Sequence, residues 1–578
     1  MGNVQVDHVA EAIEYAQDVV AGLIPACKWV KAACRRQLDD LDRWQNDPTW
    51  PYEWRPDLAE RRIRFIELHV HVKGELAGSL LRLERWQKFG IVCVFGWVHK
   101  VDGRRRFSTV YEEVPRKNAK TTKLAAIGLA QLTDDDEIGA EVYSAATKEE
   151  QARIVFDIAH QMARMQPQFR QRFGVELLRK AIIVRDTGSK FVPLAASDGL
   201  DGLNVSTALI DELHAHKTRV VHDVLDSATG ARAQPLVWKI TTAGSNRAGV
   251  CYDQRNYLTK ILNAVLKRHG GMGHPVTGEV AEDESYWGII YTIDDGDDPL
   301  DEKSWRKANP NYGVSVYPEK LRAAARIASV QAQALNEFLT KHLNVWVNAD
   351  SAWMNMLQWD ACGDPELQIE RFAGKACVAS LDAAFKKDLF AKIRLFREGP
   401  DYYIFGRYYI NAELTQQKGN EHLAAWVKEG WIRTTPGNVL DIEAVREELL
   451  ADTKAFQVIE VPYDPFQLQQ FSIEMVEQGV PMVELRPTVM NFSPAMKEVE
   501  QLVASRRLHH ACDPVLGWAI ANVVCHRDAK ENIYPRREKN DLAKKIDPAI
   551  ALFMAMARAM TAQPTGSIDE WLKAPVPA

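Results

Sequence analysis

The stretch that most constrains this chain is residues 111–124, YEEVPRKNAKTTKL. An apolar, strand-like run at 107–114 leads into a turn, and a helix-like run follows at 121–132. Lys120 and Thr121 close the turn and open the helix. At such a helix start the unpaired N–H groups face outward, Lys120 adds a point charge, and the Thr121 hydroxyl can hold Mg²⁺. The arrangement suits a phosphate group. It departs from the G-x-x-x-x-G-K-[ST] frame, because Val114 and Ala119 stand where that frame asks for glycine. Taken alone, a lysine–threonine pair at a helix start is most often an ordinary solvated first turn, so the rest of the chain has to decide.

With 578 residues the chain is too long for one hydrophobic core, and two or three domains are expected. A content of 46% hydrophobic and 26% charged residues is that of a globular protein. A formal net charge of -6 excludes a polycation, so any DNA contact must come from local patches such as Arg104, Arg105 and Arg106 or Arg506 and Arg507. The eight cysteines form no C-x-x-C pair, which argues against structural zinc and for reduced thiols. MGNVQVDHVAEAIEY has neither a basic n-region nor a long apolar run, so no secretory signal is expected. It also lacks the hydroxyl residue of a myristoylation signal, and no stretch reaches membrane-spanning length without charge.

Residues 1–75 read as helices and loops. Residues 80–97 read as a buried apolar helix with Trp86 and Gln87 at its start. An amide that donates and accepts together can read adenine, although a surface glutamine is the simpler reading. Residues 98–114 suggest a hairpin around Asp102-Gly103. A strand at 141–146 precedes a helix at 148–165, whose Arg153 reads as a solvated charge, and 181–195 suggests a second hairpin. The run 205–210 is a short apolar strand ending in Asp211 and Glu212. Two acids at a buried strand end are costly unless they face a metal or water. Asp211 suits holding Mg²⁺ through water, and Glu212 suits orienting and deprotonating an attacking water. An acidic helix cap is the alternative. A third strand, 235–246, ends in Thr241, Thr242 and Ser245, which suit γ-phosphate sensing or a plain strand–turn. Strands alternating with helices from about 107 to 245 fit a parallel α/β sheet with its ligand at the carboxyl ends of the strands. Beyond it, 270–278 reads as a flexible loop, 294–298 as an exposed acidic run, 321–343 as one long helix and 344–356 as a bridge.

A second set of acids follows. Strand 376–384 carries Asp382 near its end, strands 393–396 and 402–409 flank a turn at 398–400, and strand 457–465 ends in Asp464. The last long helix, 541–560, carries Asp547. Carboxylate oxygens suit Mg²⁺ or Mn²⁺, and two such ions can clamp both the attacking and the leaving oxygens of a phosphodiester. Each aspartate alone reads as a cap or turn residue. The order strand–Asp, meander, strand–Asp, helix–Asp is that of an RNase H-like nuclease. Asp388 is a tentative further ligand. His509, His510, Arg536, Arg537, Lys539, Lys544 and Lys545 suit a DNA backbone or an ordinary solvated face.

The residues LRLERWQKFG, VPRKNAKTT, YSAATKEEQARIVFD, STALIDELHAH, ITTAGSN, WRKANPNYG, EFLTKHLNVWV, SLDAAF, VPYDPF, DPVLGWAIANV and KIDPAIALFMA occur in that order over roughly residues 75–560. In them the chain resembles the large terminase subunits of tailed phages, of the HK97-like group. The resemblance implies an α/β fold with an N-terminal P-loop ATPase joined to a C-terminal RNase H-like nuclease. The implied division is a helical segment at 1–75, the ATPase at 76–345 with a lid-like region at about 250–345, a linker at 346–370 and the nuclease at 371–578. It implies that Gln87 contacts adenine and that Arg116, Lys117, Asn118, Ala119, Lys120, Thr121 and Thr122 line the ATP site with Asp211. Arg116 or Lys117 would act as a cis cation, Glu212 as catalytic base, and Thr241, Thr242 and Gly244 as the coupling segment. Arg153 is the guess for a trans-acting arginine. Asp382, Asp464 and Asp547 would be the nuclease metal ligands.

The implied cofactors are ATP as substrate, Mg²⁺ for the ATPase, and Mg²⁺ or Mn²⁺, as two ions, for the nuclease. The implied partners are double-stranded DNA, the portal protein of the procapsid, the small terminase subunit and further copies of the chain in a packaging ring. No membrane is implied, and the location would be the host cytoplasm, docked transiently on the procapsid. Ala119 and Pro548 stand where the group often has glycine. Two other readings share parts of this pattern: a helicase-like ATPase fused to a repair or restriction nuclease, and a DNA-binding packaging scaffold with a decayed ATPase.

Overall fold

The structure, a computed structural model, describes residues 7–195, 202–216, 218–247, 249–270, 283–348, 352–383, 388–416, 420–528, 530–537 and 544–561. It divides into two compact units, one of Met1–Ala325 with Glu337–Val347 and the other of Arg326–Asn336 with Asn348–Ala578.

In the first unit a short antiparallel ribbon joins β1 (Tyr52–Trp54) to β2 (Trp97–His99). The main sheet is built from β3 (Thr109–Glu113), β4 (Glu141–Ala146), β5 (Val175–Leu178), β6 (Ala181–Val184), β7 (Ser189–Ala195), β8 (Thr207–Asp211), β9 (Leu236–Thr241) and β10 (Tyr286–Ile290). Its order is β10-β3-β9-β8-β4-β7-β6-β5. Pairing is parallel from β10 to β7, and β6 and β5 add an antiparallel edge. Central strands such as β8 carry unbroken apolar runs, with Ala208, Leu209 and Ile210 fully buried, as strands covered on both faces do. Register aligns Glu113 with Thr241, and Asp211 with Ile240, so β3, β9 and β8 end side by side.

Two acids lie inside this unit on β3. Glu112 is buried and receives Lys123 Nζ at 2.6 and 2.7 Å and Trp238 Nε1 at 2.9 Å. Glu113 receives Tyr111 Oη at 2.7 Å, Trp346 Nε1 at 3.2 Å, Asn344 Nδ2 at 3.3 Å and Arg255 Nε at 3.4 Å. Neither charge is left without donors, which is the condition for burying it.

The second unit has a mixed sheet of β11 (Ala376–Asp382), β12 (Phe390–Glu398), β13 (Asp401–Asn411), β14 (Ile432–Thr435), β15 (Gln457–Tyr463), β16 (Met482–Glu484) and β17 (Leu508–His510). The path is β14-β13-β12-β11-β15-β16, with β17 also on β13. β11, β12 and β13 form an antiparallel meander, and β15 runs parallel to β11. A ribbon pairs β18 (Val524–Arg527) with β19 (Ile533–Arg536). The helix Asp547–Ala559 packs across β11, β12 and β15, and Ser380 Oγ donates to Ala551 O at 2.6 Å. That helix is apolar on most of its circumference, as its nearly complete burial requires.

Several expectations are corrected. The apolar helix is shorter, Arg85–Phe95, because Glu84 and Gln87 form a capping box that starts it there. The turn at Asp102-Gly103 forms, but β3 does not complete a hairpin with β2; it leaves to pair with β9 and β10. The expected long helix at 321–343 is three pieces, Pro318–Ala328, Ala332–Glu337 and a wider turn at Phe338–His342. Asn355 Nδ2 and Gln358 Nε2 donate to the freed Ala328 and Ser329 carbonyls, so tertiary bonds compensate the first break. The last helix begins at Asp547 rather than 541, with Pro548 in its first turn where no N–H is needed. Residues 271–278 of the glycine-rich loop lie outside the described residues. No helix among the described residues is long and apolar enough to cross a membrane.

Lys123→Met should lower stability by about 3–5 kcal/mol, because it strands the Glu112 carboxylate inside the sheet. Urea melting of the full chain checks this, and pairing the change with Glu112→Leu should recover much of the loss.

Candidate functional site

β3 delivers the chain into a loop at 114–119 and then into the helix Lys120–Thr133. Two loop residues without glycine's freedom are left-handed, Lys117 at φ 70° and Ala119 at φ 54°. Each such L-residue costs about 1–2 kcal/mol, so the surroundings must over-determine the loop. They do. Val114 N donates to Thr241 O at 3.0 Å and Arg116 N to Lys341 O at 2.9 Å. Asn118 Nδ2 donates to Asn309 Oδ1 at 3.2 Å, and Asn311 N donates back to Asn118 Oδ1 at 3.0 Å. Ser315 Oγ donates to Lys117 O at 2.6 Å. Trp86 Nε1 in turn holds Asn311 Oδ1 at 2.6 Å. Sequence reasoning missed Asn309, Asn311, Ser315 and Trp86 as loop supports. The asparagine pair in WRKANPNYG was the signal available.

Lys120 is 6% exposed. Its Nζ donates to Val114 O at 2.8 Å and Pro115 O at 3.2 Å, filling the inside of the turn. Burial pushes its pKa down, against the pull of Glu212 and Asp211. Arg116 and Lys117 are exposed on the outside of the loop, and Thr122 is half-buried beside Thr121. Gln87 is buried rather than on the surface, and its Oε1 accepts from Glu84 N at 3.0 Å.

Thr121 Oγ1 donates to Asp211 Oδ2 at 3.1 Å, joining residues 90 positions apart. Glu212 N donates to the other oxygen, Asp211 Oδ1, at 2.9 Å. Burial and the neighbouring Glu212 raise the Asp211 pKa to about 6. Glu212 is left-handed, at φ 52°. Burial pushes its pKa up, but hydrogen bonds from His214 and Thr242 and the charge of Lys120 outweigh it and hold the carboxyl down to about 2. Thr242 Oγ1 donates to Glu212 Oε2 at 3.2 Å, so the end of β9 touches the second acid directly. A hydroxyl and a carboxylate 3.1 Å apart at a helix start are the hard oxygen donors that Mg²⁺ takes.

In the second unit the parallel register pairs Leu381 with Tyr463, which sets Asp382 and Asp464 at neighbouring strand ends. Asp464 caps the helix Pro465–Glu477, its Oδ1 accepting from Phe466 N at 3.1 Å. Asp547 opens the helix Asp547–Ala559 that lies on these strands. Burial, then repulsion from Asp547, Asp464 and Asp388, drive the Asp382 pKa well above the carboxylate range. Burial and Asp388 raise that of Asp547 to about 7. Among the described residues no three His, Cys, Asp or Glu side chains form a ready-made metal cage. The donors nonetheless fit a hard divalent cation in their chemistry: carboxylate oxygens on three elements, close enough to repel one another.

Of the other candidates, Asp388 lies close enough to the second group for its charge to act on Asp382 and Asp547. Arg153 pairs with Asp157 at 3.1 Å on its own helix. Asp388 is paired with Lys545 and lies 3.8 Å from Arg537, so it is a counter-ion rather than an open ligand. Arg105 and Arg106 are buried in ion pairs with Asp135 and with Asp40 and Glu284. His510 is buried and stacked on Trp359, and His509 stacks on Tyr403. Neither triplet nor histidine pair forms a free basic patch. Arg536 and Arg537 are exposed, Lys544 and Lys545 buried, and Lys539 lies outside the described residues.

Comparison with known proteins bears on both groups. The family model for the terminase large subunit ATPase domain matches residues 85–260, and that for its endonuclease domain matches residues 280–563. Protein YmfN of Escherichia coli K12 is 34% identical over 412 residues, 69% of this chain and 87% of that protein. The terminase large subunit of Enterobacteria phage HK97 is 25% identical over 533 residues, 90% of this chain and 99% of that one. The crystal structure of the HK97 large terminase aligns with a TM-score of 0.40 at 24% identity, covering 86% of this chain and 99% of that one.

Ala119→Gly should change stability by less than about 1 kcal/mol, since relief of the left-handed backbone is offset by unfolded-chain entropy. Ala119→Val should cost about 1–3 kcal/mol, and thermal melting separates the two. Above about pH 7, where the Asp547 carboxyl ionises, Asp547→Asn removes one of the mutually repelling charges. It should raise the melting temperature of metal-free protein by about 2–4 °C for each kcal/mol gained and abolish the further gain on adding Mn²⁺. The Asp547 carboxyl titrates at about 7 when folded and near 3.9 when unfolded. The folded state therefore holds the extra proton between those values, and stability should fall as pH rises from about 4 to about 7.

Proposed function

Because the chain belongs to the terminase large subunit family, with both its ATPase and its endonuclease domains, we propose that it drives double-stranded DNA into a procapsid and cuts that DNA from a concatemer. The observation that carries the motor half is the Thr121–Asp211 hydrogen bond, which brings loop and acidic strand end together across 90 residues.

ATP lies with its phosphates against the turn at 114–121 and its adenine toward Gln87. Lys120 exchanges the Val114 and Pro115 carbonyls for phosphate oxygens, which suits an ammonium already desolvated at the loop. Asn118 keeps the turn open by its bonds to Asn309 and Asn311. Thr121 and Asp211 hold Mg²⁺, which when bound neutralises phosphate charge. Glu212, ionised at any working pH, accepts hydrogen bonds from the attacking water and orients it. A carboxylate held at about 2 is a poor proton acceptor, and a loose phosphoryl-transfer transition state asks for orientation more than for a strong base. Arg116 or Lys117 supplies positive charge from the outside of the loop. Thr241, Thr242 and Gly244 carry the change at Glu212 onward from the end of β9.

In the second unit Asp382, Asp464 and Asp547 hold Mg²⁺ or Mn²⁺, as two ions. Metal bound there supplies charge for displacement at a phosphodiester. The exposed Arg536 and Arg537 suit the backbone of a duplex, and nothing in the set reads bases. The portal protein, the small terminase subunit and a ring of further copies are the partners this role requires, at the procapsid in the host cytoplasm.

Lys120→Ala or Glu212→Gln should reduce DNA-stimulated ATPase about 100-fold or more while Mn²⁺-dependent plasmid cleavage persists. Asp382→Ala should do the reverse. Cleavage that survives Asp382→Ala would remove the three-aspartate reading, and an unchanged ATPase in Lys120→Ala would remove the loop reading.

A further inference from the structure

The ring of His214 sits where the second acid meets the end of β9. Its Nδ1 is 3.2 Å from Glu212 Oε2, 3.1 Å from Thr241 Oγ1 and 3.4 Å from Thr242 Oγ1. Its main-chain N–H donates to Thr241 Oγ1 at 3.0 Å. The side chain is 13% exposed. On its other flank, a Cβ added at Gly244 would lie 3.6 Å from the ring carbon Cδ2 of His214, so the turn after β9 runs beside the ring.

One proton arrangement satisfies every polar contact around this ring. Thr241 Oγ1 has a single proton and gives it to Thr242 O at 3.0 Å. Thr242 Oγ1 gives its proton to Glu212 Oε2 at 3.2 Å. Glu212 is a carboxylate and only accepts. In that arrangement all three neighbours of Nδ1 are acceptors toward it, and Nδ1 carries the proton. His214 is then a fixed donor shared between the acid and the two threonines, and Nε2 takes no part in the contact.

Glu212 needs such a hold. Its backbone is left-handed, which leaves the side chain no help from regular structure. Thr242 and His214 together fix the Oε2 oxygen, and the other oxygen stays available to a water. We propose that His214 is a positioning residue of the ATPase site, whose Nδ1–H locks Glu212 to Thr241 and Thr242 so that the water-orienting acid and the end of β9 move as one. This rests on the reading of Glu212 as the water-orienting acid. It adds a residue, a tautomer and a direction of coupling to that reading.

The test is steady-state ATPase kinetics of the full chain for His214→Ala, His214→Asn and His214→Gln, with Mn²⁺-dependent plasmid cleavage as the control for folding. An asparagine amide places an N–H near the Nδ1 position, and a glutamine amide places it near Nε2. His214→Ala should lower kcat about 10–100-fold, with KM for ATP changed less than about twofold, because Lys120, Thr121 and Asp211 still hold the nucleotide. His214→Asn should recover most of the rate and His214→Gln should not. Plasmid cleavage should be unchanged in all three. The proposal is overturned if His214→Ala keeps the full rate, if His214→Asn is no better than His214→Gln, or if KM rises while kcat holds. Glu212→Gln measured alongside separates the two levels. If that variant stays active, the underlying reading fails. If it is inactive while His214→Ala is fully active, the role of His214 alone fails.

Discussion

Parallel strand pairing is the constraint on which both halves of this protein depend. In a parallel sheet all strands end at the same edge, so groups at strand ends meet however far apart they lie in sequence. β3, β8 and β9 end in Glu113, Asp211 and Thr241, and their register sets those ends side by side. The loop after β3 and the acids after β8 then need only one turn each to meet. In the second unit the same rule acts on one pair of strands. β11 and β15 run parallel, and Asp382 and Asp464 follow from the Leu381–Tyr463 pairing.

Placing charges at such edges has a cost that the surroundings offset in two different ways. Beneath the phosphate loop the acids of β3 are fully donated to, Glu112 by Lys123 and Trp238, Glu113 by four donors. Each buried charge there would be expensive if its partners moved. In the second unit Lys545 and Arg537 pair with Asp388, and their charges only partly offset what raises the Asp547 carboxyl. Burial, then mutual repulsion, raises the Asp382 and Asp547 pKa values, and a divalent cation bound there would relieve that repulsion. Stability and chemistry pull against each other there, as they do at sites kept ready for a charged ligand.

The loop at 114–119 shows how a chain can omit glycine and still make a glycine-like turn. Lys117 and Ala119 take left-handed conformations. Bonds from Asn309, Asn311, Ser315 and Lys341 hold them there. Glu212, also left-handed, is tied in the same manner to Thr242 and His214. The loop's left-handed residues are held by hydrogen bonds from elements distant in sequence, and Glu212 by Thr242, 30 positions on, with the neighbouring His214.

The local patterns in the chain were enough for much of this. Apolar runs ending in Lys120-Thr121, Asp211-Glu212, Asp382 and Asp464 marked the strand ends. Their alternation with helices required parallel pairing, because covalent order and burial alone dictate that arrangement. What sequence could not show was every feature made by contacts between distant segments. The break in the 321–343 helix depends on Asn355 and Gln358 taking up freed carbonyls. The fate of Arg105 and Arg106 depends on Asp135, Asp40 and Glu284 arriving beside them. Asp388 depends on Lys545 in the same way. Which residues stand at the strand ends was determined by the sequence itself. Which charges are paired, and which loops hold a left-handed turn, were decided only by the tertiary structure, because pairing energies belong to two partners and no single position carries them.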